Sequence, residues 1–258
     1  MTRAELIRIA REEYLDDLAD IDDPVVAEEV YRWSTPFLLR ASIEAERQAC
    51  RRADLRHIYD ESTESVCSIT LEADRRSYPL APSVLRIEQV LHNGKQLTHT
   101  TREELLACDP GWMVWPAGDP SSFFIQARQL TLTRWPSVAA AAVPLLLSVY
   151  REPLWAEGLD DADQVTVATP LEWPGEALPL VHWICYEAYQ RNDEDTHNAG
   201  RAAEHLALFE RAFGPALKQR VIAGLLESTG SVRYGQPQGY VDQWYAGPGC
   251  GAGAADDW

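Results

Sequence analysis

Leu6, Ile9 and Ala10, continued by Leu15 and Leu18, recur at helical spacing and predict a first helix over residues 4–18, ahead of an acidic loop at Asp20–Pro24. Ser34 and Thr35 precede Pro36, an N-cap followed by proline at the first helical position, and no breaker follows until about Glu61. A long second helix over 36–61 is the expectation. Along it Leu38, Ala41, Ala45, Ala49 and Ala53 form a stripe of small residues that lets another helix approach closely. The opposite face is filled with Arg and Glu.

From Ser65 the period changes. Val66, Ile69 and Leu71 lie in a β-branched run, and Val84–His92 reads as a strand that Asn93-Gly94 turns into a second one at Lys95–Thr98. Thr101 with Glu104 is the capping-box pattern of a short helix ending near Cys108, stopped by Asp109-Pro110-Gly111. Phe123–Ala127, Leu130–Arg134 and Leu145–Arg151 complete an antiparallel unit of five or six strands. Residues 152–177 lack a convincing period and read mainly as a long loop, with at most a short strand at Val165–Ala168. Leu180, Val181, Ile184, Cys185 and Ala188 then predict a helix over 178–191, and Ala202, Leu206, Phe209, Phe213, Leu217, Val221 and Leu225 a single last helix. Beyond Thr229 the chain is dense in Gly and Pro and should not fold alone.

The pattern therefore predicts an α+β fold: a bundle of N- and C-terminal helices with an inserted antiparallel β domain and an extended C-terminal tail. The segments are N-terminal helices at 1–64, the β domain at 65–151, an acidic connection at 152–177, C-terminal helices at 178–229 and a docking tail at 230–258. At 258 residues and 46% hydrophobic content the chain can fill a core, which excludes wholesale disorder. The most apolar run, Val138–Val149, is broken by Pro144 and Ser148 and is too short to span a bilayer. Arg3, Glu5, Arg8, Arg11, Glu12 and Glu13 stand where a secretory signal needs apolar residues, so synthesis in the cytoplasm is expected. Five cysteines, never spaced as CxxC, suggest neither a disulfide framework nor a zinc knuckle and are expected to be reduced.

The net charge of −17 sharpens the picture through its distribution. Residues 1–35 hold ten Asp/Glu against four Arg, and residues 152–177 hold seven Asp/Glu and no Lys or Arg. Asp160, Asp161 and Asp163 in the second stretch are the candidate acidic field. Such a surface repels phosphates, which argues against sequestering nucleic acid and is compatible with DNA passing by.

Residues with catalytic chemistry do not converge. Gly249–Gly253 has the composition of a phosphate loop without the strand, helix or Gly-Lys-Ser/Thr that such a loop requires. His182 and Cys185 share a helix face but have no second pair at ligand spacing, and Asp193–Asp195 with His197 lacks the glycine and glutamate of a calcium loop. There is no Gly-x-Ser-x-Gly elbow. No catalytic residue, cofactor or metal site is predicted. The tail is more informative: Tyr234, Tyr240, Trp244, Tyr245 and Trp258 are large aromatics in a segment that cannot build its own core, and each would stabilise a complex by roughly 2 kcal/mol on burial.

The strings Tyr31-Arg32-Trp33-Ser34, "EAERQACRRADLRHIYDES", "YPLAPSVLRIEQVLHNGKQL", "TREELLACDPGW", "AGDPSSFFI", "SVYREPL" and "LVHWICYEAYQRNDEDTHN", in this order over residues 1–226, resemble the head-to-tail adaptor proteins of tailed bacteriophages, especially short-tailed ones. The acidic connection and the Gly-rich tail depart from that family's usual pattern. The resemblance implies helices bundled around an inserted β domain. It also implies a ring of about twelve copies in the virion neck, docked beneath the portal protein, receiving the tail nozzle protein and lining the DNA channel. On that reading Ala41, Ala45 and Ala49 are expected to pack neighbours in the ring, and Tyr240, Trp244, Tyr245 and Trp258 to dock on portal or a neighbouring subunit. The alternatives are another ring-forming tail component, such as a nozzle or tail-closing protein, and a virion-associated hydrolase.

Overall fold

The computed structural model describes residues 1–17, 31–52, 58–154, 169–173, 175–191 and 197–227. Helix α1, Arg3–Ile9, opens on a capping box in which the Thr2 hydroxyl accepts the Glu5 N–H and the Glu5 carboxylate accepts the Thr2 N–H. It continues as a wider π-helical stretch, Ala10–Leu15, that ends on Asp16 in the left-handed region at φ 49°. The widened turn points Arg11 inward, where its guanidinium reaches the Trp33 carbonyl and the Thr35 hydroxyl, each at 2.9 Å.

Helix α2, Thr35–Cys50, starts as the Ser34–Pro36 sequence predicts but ends eleven residues before Glu61. Arg51 leaves helical geometry, and Ile58–Asp60 forms strand β1 instead, because Ile58 and Tyr59 pair with Arg151 and Tyr150 across a sheet. Tertiary pairing has overridden local helix preference there. The sheet layer thus begins before Ser65. The α2 alanines are inside the subunit: Ala41, Ala45 and Ala49 are 5%, 0% and 1% exposed, in one core with Leu6, Leu38, Ile184 and Phe209. The close helix approach that the stripe permits is made within the protomer, and these three side chains have no surface to offer a neighbour in a ring. That corrects the expectation of ring packing through them.

The inserted unit holds nine strands among the described residues, arranged as two sheets. After β1 come the short helix α3 (Glu64–Cys67), where a strand through Val66 was expected, then β2 (Ser68–Ile69), β3 (Ser77–Pro79), β4 (Val84–His92), β5 (Lys95–Gln96) and β6 (Thr98–His99). Helix α4 (Arg102–Cys108) carries both halves of the Thr101–Glu104 capping box. Strands β7 (Ser122–Gln126) and β8 (Gln129–Leu132), the short helix α5 (Val138–Ala141) and β9 (Leu145–Arg151) follow. One sheet runs β1-β9-β4-β5, with β2 also on β9, and the other β3-β8-β7-β6. All pairs are antiparallel except β6 with β7, a departure from the wholly antiparallel expectation. Ile87, Val90, Leu145, Leu147 and Val149 meet Tyr78, Phe123, Leu130 and Leu132 in a second core.

Two hairpins turn through left-handed residues. Asn93 (φ 49°) and Gly94 (φ 72°) form the turn that their sequence predicts. Ala127 (φ 49°) and Arg128 (φ 61°) form another without the usual Asn-Gly, and the Arg128 guanidinium offsets the strain by donating to the carbonyls of Ala81, Pro82 and Val84 at 2.7–3.1 Å.

Helix α6, Val181–Gln190, follows a 3-10 turn at Leu178–Leu180. The single last helix of the sequence reading is two. Helix α7, Ala199–Phe213, is capped by Asn198 and ends at Gly214, whose φ of 84° leaves the helical region. Pro215 follows, and α8, Gln219–Glu227, then crosses to the sheets, where Leu226 joins the second core. Cys50, Cys67 and Cys185 are free and buried, and Cys250 lies outside the described residues.

Candidate functional site: the base of the acidic loop

The polar residues that join helices to sheets gather where the acidic connection leaves and re-enters the body. Arg3 of α1 and Glu46 of α2 pair at 2.6 Å with both side chains fully buried, and Arg3 also donates to the Ser42 hydroxyl at 3.0 Å. The other Glu46 oxygen accepts the N–H groups of Glu172 and Trp173 at 2.8 and 3.1 Å. Burial pushes the Glu46 carboxyl up, against the pull of Arg3 and these two amides.

Glu172 in turn accepts from the Arg151 guanidinium and from the Leu154 N–H. The same guanidinium donates to Asp60 at 2.6 Å, so β9, β1 and the segment after the acidic loop meet at one arginine. Burial alone would raise the Asp60 carboxyl. The Thr63 hydroxyl, the Ser62 N–H, Arg151 and the Thr63 N–H together hold it well below the usual carboxylate range. Glu152 is held by Arg47 at 3.1 Å and by Arg51, both on or just past α2.

Four carboxylates, Glu46, Asp60, Glu152 and Glu172, therefore face four arginines, Arg3, Arg47, Arg51 and Arg151, and the base is neutral. Leu154 and Glu172 are joined by a hydrogen bond, and Thr2 bridges to Pro170, so the two ends of the intervening segment are fixed side by side. Two of the seven acids in residues 152–177 are consumed in this way, whereas Glu176 is exposed. Asp160, Asp161 and Asp163 lie outside the described residues, as do Asp20–Pro24, Val165–Ala168, Asp193–Asp195, Gly249–Gly253 and the aromatics Tyr234, Tyr240, Trp244, Tyr245 and Trp258.

Sequence reading missed the network because its partners are far apart in the chain. The usable signal was Ser42 and Glu46 beside the alanine stripe, a polar pair on an apolar face that demands a buried cation. A groove of about 540 Å³ opens next to the base, between α2, the β7–β8 turn and α8, but its Arg51 and Arg128 are already engaged with Glu152 and with backbone carbonyls. Among the described residues no group of three or more His, Cys, Asp or Glu is placed to hold a metal ion, and no helix is long and apolar enough to cross a membrane.

Among curated proteins none matches the chain significantly. The family model of the SU10 adaptor protein matches residues 1–234, which takes in both helical ends, the inserted sheets and the whole network described above. The extent of that match places the chain in the SU10 adaptor protein family, whose members are structural adaptor proteins of phages.

Proposed function

We propose that this adaptor forms a ring of about twelve copies in the virion neck, joining the portal protein of the head to the tail nozzle and lining the channel through which DNA passes. The observation that supports this best is the neutral, buried base that ties both ends of the acidic connection to the body, with Glu176 exposed beside it. Eight charged side chains tie α1, α2, β1 and β9 to both loop ends, so the subunit can act as one stiff wedge while the loop presents negative charge. Wedges repeated by heterologous contacts close a ring. Asp160, Asp161 and Asp163 would then repel the DNA backbone and keep it from sticking to the wall.

In this reading residues 230–258 are the docking tail, with Tyr240, Trp244, Tyr245 and Trp258 filling apolar pockets of portal or of an adjacent subunit. The protein acts through its field and its contacts rather than through catalysis. Ring contacts fall on faces other than Ala41, Ala45 and Ala49.

The test is to mix the full-length protein with portal and measure mass by light scattering, with negative-stain images of the product. A complex heavier than portal with rings stacked on its axis is expected, and deletion after Thr229 should spare folding but weaken that complex. No mass beyond portal itself would overturn the proposal. The triple change Asp160→Asn, Asp161→Asn, Asp163→Asn should leave assembly intact. Loss of a measurable cell-wall or nucleic-acid hydrolysis in that variant would favour the hydrolase alternative instead.

A further inference from the structure

His182 on α6 and His205 on α7 face each other with their Nδ1 atoms 3.2 Å apart. Two imidazole nitrogens at that distance share one proton: one ring carries Nδ1–H and the other presents a bare nitrogen. A first added proton can sit on the far nitrogen of the donor ring and leave the bond standing. A second must go to the contact itself, where it sets N–H against N–H.

The pair sits in a cage drawn from three elements. The Tyr14 ring, in the π-helical stretch after α1, meets both imidazoles edge-on, at 5.4 and 5.7 Å between centroids. Tyr189 of α6 stacks on His205 at 5.8 Å, donates its hydroxyl to the Tyr14 carbonyl and accepts from Arg201 of α7, both at 2.9 Å. His205 is buried and His182 half-buried. The other ionisable groups bearing on the cage are Glu13 and Cys185, which act on Tyr14, Glu204 and Arg201 of α7, which act on His205, and Asp16, which acts on Arg201. Burial holds both imidazoles below the ordinary histidine value. His205 adds to that for His182, while at His205 Glu204 opposes it and Arg201 adds to it. With no third ligand to complete a metal group among the described residues, the pair is suited to protons rather than ions.

We propose that the His182–His205 hydrogen bond is a proton-operated latch that fastens the N-terminal helix and the two helices α6 and α7 to one another, and that it opens when both imidazoles are charged. Opening separates α7 from Tyr14 and α6 while the two sheets, whose core lies elsewhere, stay closed.

Hydrogen exchange on the full-length chain at pH 7.5 and pH 5.5, corrected for intrinsic chemistry, reads the latch directly. Amides of Val181–Gln190 and of the first two turns of α7 should speed up by about tenfold relative to β4 and β9. The two ring signals should titrate in two separated steps, as coupled sites do. His182→Gln keeps a hydrogen-bonding partner that cannot charge, so it should flatten the acid response, and His205→Gln should do the same. Independent single titrations of the two rings, an unchanged α6 and α7 at pH 5.5, or a full acid response in His182→Gln would each overturn the latch. Should the Gln variants fail to fold, the ring titrations and exchange of the unaltered protein decide the matter alone.

Discussion

Arg3 and Glu46 form the one ion pair among the described residues whose side chains are both wholly withdrawn from solvent, and they lie 43 positions apart in the chain. Removing one member leaves the other charged and unpaired in the bundle core, which costs about 3–5 kcal/mol. Glu46→Gln preserves shape and can still accept the Glu172 and Trp173 amides, so its loss isolates the charge. Urea denaturation should show a drop of about 3 kcal/mol or more, and a change under about 0.5 kcal/mol would show that the pair is dispensable.

Acid should act through Asp60. Its carboxyl is held below its unfolded value, so the folded state binds fewer protons than the unfolded one, and the stabilisation is present above the unfolded pKa of about 3.9 and is lost as pH falls below it. Asp60→Asn lacks this contribution at every pH. The stability gap between the unaltered protein and this variant should therefore narrow by about 1 kcal/mol between pH 5 and pH 3, measured by guanidinium unfolding. A constant gap would mean that Asp60 is not shifted.

The β7–β8 turn gives adjacent residues opposite outcomes. Ala127 holds a left-handed conformation with no compensating side chain, so Ala127→Gly should raise stability by about 0.5–1 kcal/mol. Arg128 is equally strained but ties three carbonyls, and Arg128→Gly should lower stability by about 1 kcal/mol, moderated by its exposure. Thermal melts of the two single variants should move in opposite directions.

Much of the local structure is legible in the chain. The Thr101–Glu104 cap, the Asn93-Gly94 turn and the strands Val84–His92 and Leu145–Arg151 stand where the sequence puts them, because each depends on residues a few positions apart. The failures share a different cause. α2 stops at Cys50 because Ile58 is claimed by β9, some ninety residues later, and the last helix divides because Gly214-Pro215 lets α8 bury Leu226 among strands. Glu46 finds its amides 126 and 127 residues away, and no local period can announce that. The alanine stripe was read correctly as a close-packing face, but whether the face meets its own chain or another copy is decided by α6, which returns to cover it.

The break at Gly214 also sets where the subunit can be pulled. Because α8 lies on β4 and β7 rather than beside α7, a force applied at Glu227 enters the molecule through the sheets. It can reach the helical layer along the chain through Gly214, or through the Arg151 crossing, where β1 and β9 are bolted to Glu172 and thence to Glu46. Tension at the carboxyl end and pressure on the acidic loop would therefore converge on the same four carboxylates and four arginines, so the seam between the layers is where a subunit under load should yield first.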